Sequence, residues 1–165
     1  MLPYRDIKQM REDGYDASTI EEAESFNARW DALFASPIGI YLRQEAPRDV
    51  EIASGVRLLP IEAIAECVQE LVPDKILFDA GYIPIASSVG GNCLAYDPRT
   101  SMFYWADRSC VNSTEYLYTP NDYAEMPFSE GNLKKALIFV SDAPVSEFIQ
   151  RLRSGEYEQQ LDALD

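Results

Sequence analysis

The 165-residue sequence contains no histidine. That one absence removes the Ser-His-Asp triad, the Cys-His pair, every His-ligated metal and the imidazole proton shuttle. Basic residues are scarce too: 14 Lys and Arg stand against 28 Asp and Glu, a net charge of -14 with a pI near 4.3. Such a surface repels nucleic-acid backbones and anionic membranes, which attract faces rich in Lys and Arg. Cysteine is limited to Cys67, Cys93 and Cys110, an odd number with no Cys-x-x-Cys spacing. This argues against a disulfide framework or a zinc knuckle, and for free thiols in a reducing cytosol. Long apolar runs are missing as well. Even Leu58 to Val72 is broken by Pro60, Glu62, Glu66 and Glu70, so no membrane span is expected. The opening Met1-Leu2-Pro3-Tyr4-Arg5-Asp6 has no apolar h-region, which argues against a cleaved secretory signal and for a cytoplasmic protein.

What remains can build a core. Hydrophobic residues make up 47% of the chain and aromatics 12%, far from the composition of disordered chains. The length suits one domain, residues 1–165, burying roughly 70% of its unfolded-chain surface. Residues 1–17 read as a polar lead-in that orders by docking on the body. The acidity is spread along the chain, at -4 for residues 1–35, -4 for 36–110 and -6 for 111–165. A charged folded surface, rather than an acidic tail, is the consequence.

Hydrophobic periodicity places the elements. Ser18-Thr19-Ile20-Glu21 has the form of a capping box. Ile20, Ala23, Phe26, Trp30, Leu33 and Phe34 follow at helical spacing, and Ser36-Pro37 ends that helix. Gly39 to Leu42 reads as a short strand, Ala46 to Asp49 as a turn, and Val56 to Leu59 as a strand. Pro60 sits at the first position of a second helix with Ile61, Ile64, Val68, Leu71 and Val72 on one side. Pro73-Asp74 stops it. Four short aromatic and β-branched runs come next: Ile76 to Phe78, Tyr82 to Ala86, Cys93 to Tyr96, and Met102 to Trp105. Turn residues separate them, as in an antiparallel meander. Tyr116 to Tyr118 adds a strand, Thr119 to Asn132 reads as a long loop, and Ala136 to Val140 is assigned to a strand. Asp142 caps a third helix closed by Gly155, and Tyr157, Leu161 and Leu164 suggest a last short one. Helices at both ends of a run of strands give an α+β domain with a central, mostly antiparallel sheet.

Signals of chemistry are sparse. Ser87 to Asn92 is a glycine-rich loop, but it lacks the Walker lysine and the G-x-G-x-x-G spacing, and strands flank it. A hairpin with Gly90 and Gly91 at positive φ is the reading taken. Asp79, Asp97 and Asp107 fall at strand ends. They could converge as a carboxylate set for acid–base work, or they could form turns, the ordinary use of Asp there. No calcium-loop pattern is present, and none of the four lysines stands in an S-x-x-K motif. No catalytic residue, metal or cofactor is expected. The aromatic residues Tyr96, Phe103, Tyr104, Trp105, Tyr116, Tyr118 and Tyr123 are different in kind. Those that alternate outward amid acids would suit a protein-binding face; the rest would pack the sheet.

The middle of the chain resembles a known family. Leu58-Leu59-Pro60-Ile61-Glu62-Ala63-Ile64, Tyr82-Ile83-Pro84-Ile85-Ala86, Gly90-Gly91-Asn92-Cys93-Leu94-Ala95-Tyr96-Asp97 and Phe103-Tyr104-Trp105 look like the SUKH superfamily. Ser146-Glu147-Phe148-Ile149 resembles its closing helix. The likeness covers residues 37–153. Its most specific part is the order Ile-Pro-Ile, spacer, Gly-Gly-Asn, apolar strand, Asp, turn, aromatic strand. The chain departs from the pattern after Trp105, where members often carry His and this chain has Ala106-Asp107-Arg108. It also lacks the Asn-Gly pair common after the first helix, with Phe34-Ala35-Ser36-Pro37 there instead. The resemblance implies an α+β fold and a structural role for the Gly90, Gly91, Asn92 turn. It implies that many bacterial relatives are immunity proteins that bind a cognate polymorphic toxin, and it brings no catalytic residue. The expected function is therefore an immunity protein whose partner is a basic toxin, possessing nuclease or other activity. Asp97, Tyr104, Trp105, Asp107, Glu115 and Asp122 form the expected contact region. A regulatory scaffold like the family's founding yeast cell-wall regulator is the alternative, and a carboxylate-only enzyme a third.

Overall fold

Nearly every side chain in Cys93–Asp97 and Met102–Ala106 is apolar, so a strand pair built from them has no face to give to water. The computed structural model, which describes residues 5–45 and 50–165, resolves this by covering both faces. The helices are α1 (Ile7–Glu12), α2 (Ala17–Phe34), α3 (Pro37–Glu45), α4 (Ile61–Glu70), α5 (Asp74–Asp79), α6 (Glu130–Ala136), α7 (Val145–Arg153) and α8 (Glu158–Leu164). The strands are β1 (Val50–Ala53), β2 (Val56–Leu58), β3 (Ile83–Ser88), β4 (Cys93–Asp97), β5 (Met102–Ala106), β6 (Tyr116–Tyr118), β7 (Glu125–Pro127) and β8 (Ile138–Ser141). Six of them form an antiparallel sheet in the order β1-β2-β3-β4-β5-β8, and β6 and β7 make a separate ribbon. The fold is α+β, as expected. No helix among the described residues is long and apolar enough to cross a membrane.

Strand alternation divides the core in two. Leu94, Tyr96, Phe103 and Trp105 face a layer of helices that brings Trp30 and Phe34 from α2, Ile38 and Leu42 from α3, and Phe148, Ile149 and Leu152 from α7. The Phe103 and Phe148 rings stack at 3.7 Å and those of Trp30 and Phe34 at 4.2 Å. On the opposite face Cys93, Ala95, Tyr104 and Ala106 meet Ile76 and Leu77 of α5, Leu117 of β6, and Leu133 and Ala136 of α6. All three cysteines are free thiols.

Several elements differ from the sequence reading. Asp16, not Ser18, caps α2, accepting the Thr19 N–H at 2.7 Å. The lead-in forms α1 and docks on α2, where the Arg5 N–H donates to Asn27 Oδ1 and Asn27 Nδ2 donates to the Arg5 carbonyl, both at 2.9 Å. Residues 39–42 are not a strand: Pro37 starts α3, and Ile38, Tyr41 and Leu42 are buried at helical spacing. Gly39 is obligatory there, because a β-carbon would overlap the backbone of Phe34. Residues 76–78 are helical, in α5, since a three-residue apolar run has no period to declare itself. Leu71 and Val72 leave the expected stripe and are exposed, because α4 stops at Glu70. Pro60 caps that helix from just outside it. The expected loop from Thr119 to Asn132 contains β7 and the start of α6, and the strand assigned to 136–140 is β8, shifted toward Ser141. Pro144, not Asp142, stands at the N-cap of α7. The turn assigned to residues 46–49 lies outside the described residues.

One buried charge stands out. Asp74 opens α5 at 3% exposure, and its Oδ2 has no hydrogen-bond partner. Burial pushes its carboxyl up to about 6 from 3.8. Burial and then the Asp74 charge hold the Cys67 thiol up at about 11, and burial, Asp74 and Cys67 raise Cys93 well above its ordinary value. The folded chain thus binds the Asp74 proton more tightly than the unfolded chain. This group contributes its full stability below about pH 4 and loses it as pH rises through 6, by about 3 kcal/mol. Asp74→Asn should therefore exceed the wild type in stability at pH 7.5 by ~1–3 kcal/mol. Urea unfolding should show that gap closing at pH 4; a gap equal at both values would exclude a titrating Asp74 as its cause.

Candidate functional site

The segment between β5 and β8 builds the most distinctive surface of the chain. β5 ends at Ala106, and Asp107 turns the backbone: its carbonyl accepts the N–H groups of Cys110 (2.9 Å) and Val111 (3.0 Å). Asp107 Oδ1 accepts the Ser109 N–H at 2.8 Å and the Ser109 hydroxyl at 2.7 Å. Ser109 Oγ lies 2.8 Å from the Tyr123 hydroxyl, which ties this turn to the tip of the β6–β7 ribbon. The Tyr118 N–H donates to the Cys110 carbonyl at 3.1 Å and anchors the ribbon from behind.

Alternation gives the ribbon two chemically distinct faces. Leu117 pairs with Met126 across the two strands and points to the sheet, where Leu117 is fully buried. Tyr116, opposite Pro127, points the other way, whereas Tyr118, opposite Glu125, is half-buried and packs against the edge of that core. Tyr116 is 47% exposed and Tyr123 54%. Tyr123 holds a positive φ of 52°, and its N–H donates to the Thr119 carbonyl at 3.0 Å. Asp122 is held by the Thr119 hydroxyl and, at 3.3 Å, by the Ala124 N–H. These bonds lower its carboxyl below the ordinary value and keep it charged. The Tyr118 hydroxyl reaches Glu125 at 3.3 Å, and the Glu125 charge, followed by burial, raises its phenol. From residue 109 to residue 133 the chain carries Glu115, Asp122, Glu125 and Glu130 and not one Lys or Arg. The ribbon is an acidic surface set with tyrosines.

The six expected contact residues divide evenly. Asp107, Glu115 and Asp122 lie on or beside this surface, half-buried for Asp107 and exposed for the other two. Asp97, Tyr104 and Trp105 do not: they are 2%, 5% and 0% exposed. Trp105 faces the helical layer and Tyr104 the ribbon side, because β5 is buried on both faces and offers no outward position. Asp97 points into the protein, where its Oδ1 accepts the Arg99 N–H at 3.0 Å and Arg99 Nε at 2.9 Å, and its Oδ2 accepts the Thr100 hydroxyl at 3.1 Å. Arg99 also lies over the Tyr82 ring at 5.0 Å. Tyr116, Tyr123 and Glu125 are exposed on this surface; the two tyrosines belong to the aromatic group picked out in the sequence, and Glu125 lies in the base-free stretch.

The Gly-Gly-Asn turn is a structural hub. Gly91 has a φ of 85°, whereas Gly90 does not adopt the positive value expected of it. Asn92 is buried and fully engaged: its N–H donates to Ser88 Oγ (2.9 Å), its Nδ2 to Asp165 Oδ1 (2.9 Å), and its Oδ1 accepts the Arg108 N–H (2.8 Å). The side chain ties this turn to the Arg108 backbone and to Asp165 at the end of α8. The carboxylates at element ends do not converge. Asp97 sits across from Met102, and Asp107 is five residues farther along β5, about 17 Å away at the strand rise. Asp79 pairs instead with Arg29 at 2.8 Å. Among the described residues, no group of three or more His, Cys, Asp or Glu could hold a metal ion. Comparison of the chain with protein-family models, with curated proteins and with solved structures finds no match.

Asn92→Ala removes two partly buried hydrogen bonds and Asp97→Ala three, and each should cost ~2–4 kcal/mol. Glu115→Ala, at an exposed position, should stay within about 0.5 kcal/mol of the wild type. Urea midpoints of the three variants check this; a large loss at Glu115, or none at Asp97, would reverse the division into buried and surface roles.

Proposed function

We propose that the protein is a cytoplasmic immunity protein that binds and neutralises a basic toxin through the outward face of the β6–β7 ribbon. The observation that carries the proposal is that face itself: Tyr116 and Tyr123 exposed, with half-buried Tyr118 beside them, among Glu115, Asp122 and Glu125, in a stretch without a base. Tyrosine supplies a large, stiff contact area with a polar tip, the usual anchor of a protein interface. The surrounding carboxylates would steer a positively charged partner and set its association rate, on top of a whole-chain charge of -14. The same field disfavours nucleic acid. The resemblance to SUKH immunity proteins supplies the class of partner, and the ribbon supplies the surface.

The test is binding to a basic toxin domain encoded beside this chain, with rescue of growth on co-expression. Tyr116→Ala and Tyr123→Ala should each weaken binding about 30-fold, mainly through faster dissociation. The double reversal Asp122→Lys, Glu125→Lys should slow association about tenfold and flatten its salt dependence. Neither binding nor rescue, or binding indifferent to all four substitutions, would sink the proposal.

A further inference from the structure

A tyrosine stands where the ribbon's loop would fit glycine best. Residues 120–123 join the two strands, closed by the Thr119 N–H on the Ala124 carbonyl (3.1 Å) and by the Tyr123 N–H on the Thr119 carbonyl (3.0 Å). Tyr123, the last residue of the loop, takes the left-handed conformation with φ 52°. There a β-carbon crowds the neighbouring carbonyl, and a large aromatic residue is rare. Glycine would close such a loop without that crowding. Strain of this kind persists only where the surroundings hold it, and it clusters at functional positions. Inside the loop Thr119 does the holding: its Oγ1 accepts the Ala124 N–H at 3.0 Å and donates to Asp122. From outside, the Tyr123 hydroxyl is tied to Ser109.

That outer tie has a fixed direction. A carboxylate only accepts, so the Ser109 hydroxyl donates to Asp107 Oδ1, at 2.7 Å. The Cys110 sulfur, 4.0 Å from Ser109 Oγ, is the weaker acceptor and does not compete for that proton. Ser109 Oγ is left to accept, and the Tyr123 hydroxyl 2.8 Å away is its donor. The phenolic oxygen of Tyr123 then offers the outside only lone pairs, on a side chain that is 54% exposed. Its complement is an N–H donor, and in a base-free stretch with Glu115, Asp122 and Glu125 the favoured donor is a cation. We propose that Asp107 and Ser109 are positioning residues that act through Tyr123, a role that rests on the reading of this face as toxin-binding. They hold the ring in one pose before the partner arrives and keep its oxygen as an acceptor for a guanidinium or ammonium group.

The latch is read first in the free, full chain. The vicinal Hα–Hβ couplings of Tyr123 should report a single χ1 rotamer, and averaged rotamers in Ser109→Ala and in Asp107→Ala. Ser109→Thr keeps the hydroxyl and Asp107→Asn keeps the acceptor oxygen, so both should keep the single rotamer. Ser109 and Tyr123 are exposed, so Ser109→Ala and Tyr123→Phe should leave the urea midpoint unchanged. Against the basic toxin domain encoded beside this chain, Ser109→Ala should weaken binding about fivefold, because the ring must then be ordered on binding. Tyr123→Phe should weaken it about tenfold. The two together should lose no more than Tyr123→Phe alone, since Ser109 acts only through the phenol. Losses that multiply, a single Tyr123 rotamer surviving Ser109→Ala, or a lowered urea midpoint in that variant would overturn the proposal. An unaltered chain that bound no toxin would sink the toxin-binding reading instead, and the couplings of the free chain would still decide the latch.

Discussion

Everything in this structure depends on the two strands at the middle of the sheet having no polar face. Most soluble antiparallel sheets hide one side and wet the other. β4 and β5 cannot, because residues on both sides of the pleat are apolar and buried. The chain must therefore supply two covers. One is the layer of α2, α3 and α7, with large aromatic and branched side chains. The other is assembled from shorter pieces: α5, the β6–β7 ribbon and α6. The second cover doubles as the carrier of the acidic tyrosine surface, so one segment meets the packing demand and presents that surface.

That double burial also explains what could and could not be read from the residues. Helices with a wide apolar stripe declared themselves: α2 through Trp30 and Phe34, α7 through Phe148 and Leu152. Strands bounded by turn chemistry did so too, and the Gly-Gly-Asn hairpin fell where the residues indicate. Side-chain direction in β5 was not legible. Where both faces are buried, alternation between apolar and polar disappears, and with it the cue that would have put Tyr104 and Trp105 inside. Asp97 looked like a surface carboxylate because the cation that balances it sits only two residues on, a local pairing that spacing alone does not reveal. Residues 39–42 and 76–78 failed for a third reason. Runs of three or four apolar residues fit strand and helix equally, and only tertiary packing against Phe34 or the underside of the sheet decides between them.

The electrostatic pattern gains meaning from the same layering. The -14 charge is spread along the whole chain, yet its longest stretch without a base, residues 109–133, folds into one continuous feature. Several acids elsewhere are tied down: Asp6 and Asp16 cap helices, Asp79 and Glu24 pair with arginines, and Asp97 holds a turn. The missing histidine has a related consequence. Without imidazoles, the buried Asp74 carboxyl, raised to about 6, stands closest to neutrality of the shifted groups.

The ribbon interrupts a hairpin-like connection, since β5 and β8 are neighbours in the sheet while residues 107–137 lie between them in sequence. Extending or remodelling such an excursion has a small entropic cost, because loop closure grows only logarithmically with length. Within it, neighbouring residues serve different masters: Leu117 and Met126 belong to the interior, Tyr116 and Glu125 to the exterior. The outward set can therefore change while the interior set stays as it is. In this one excursion the evolution of the outer surface is insulated from the chain's own foldability.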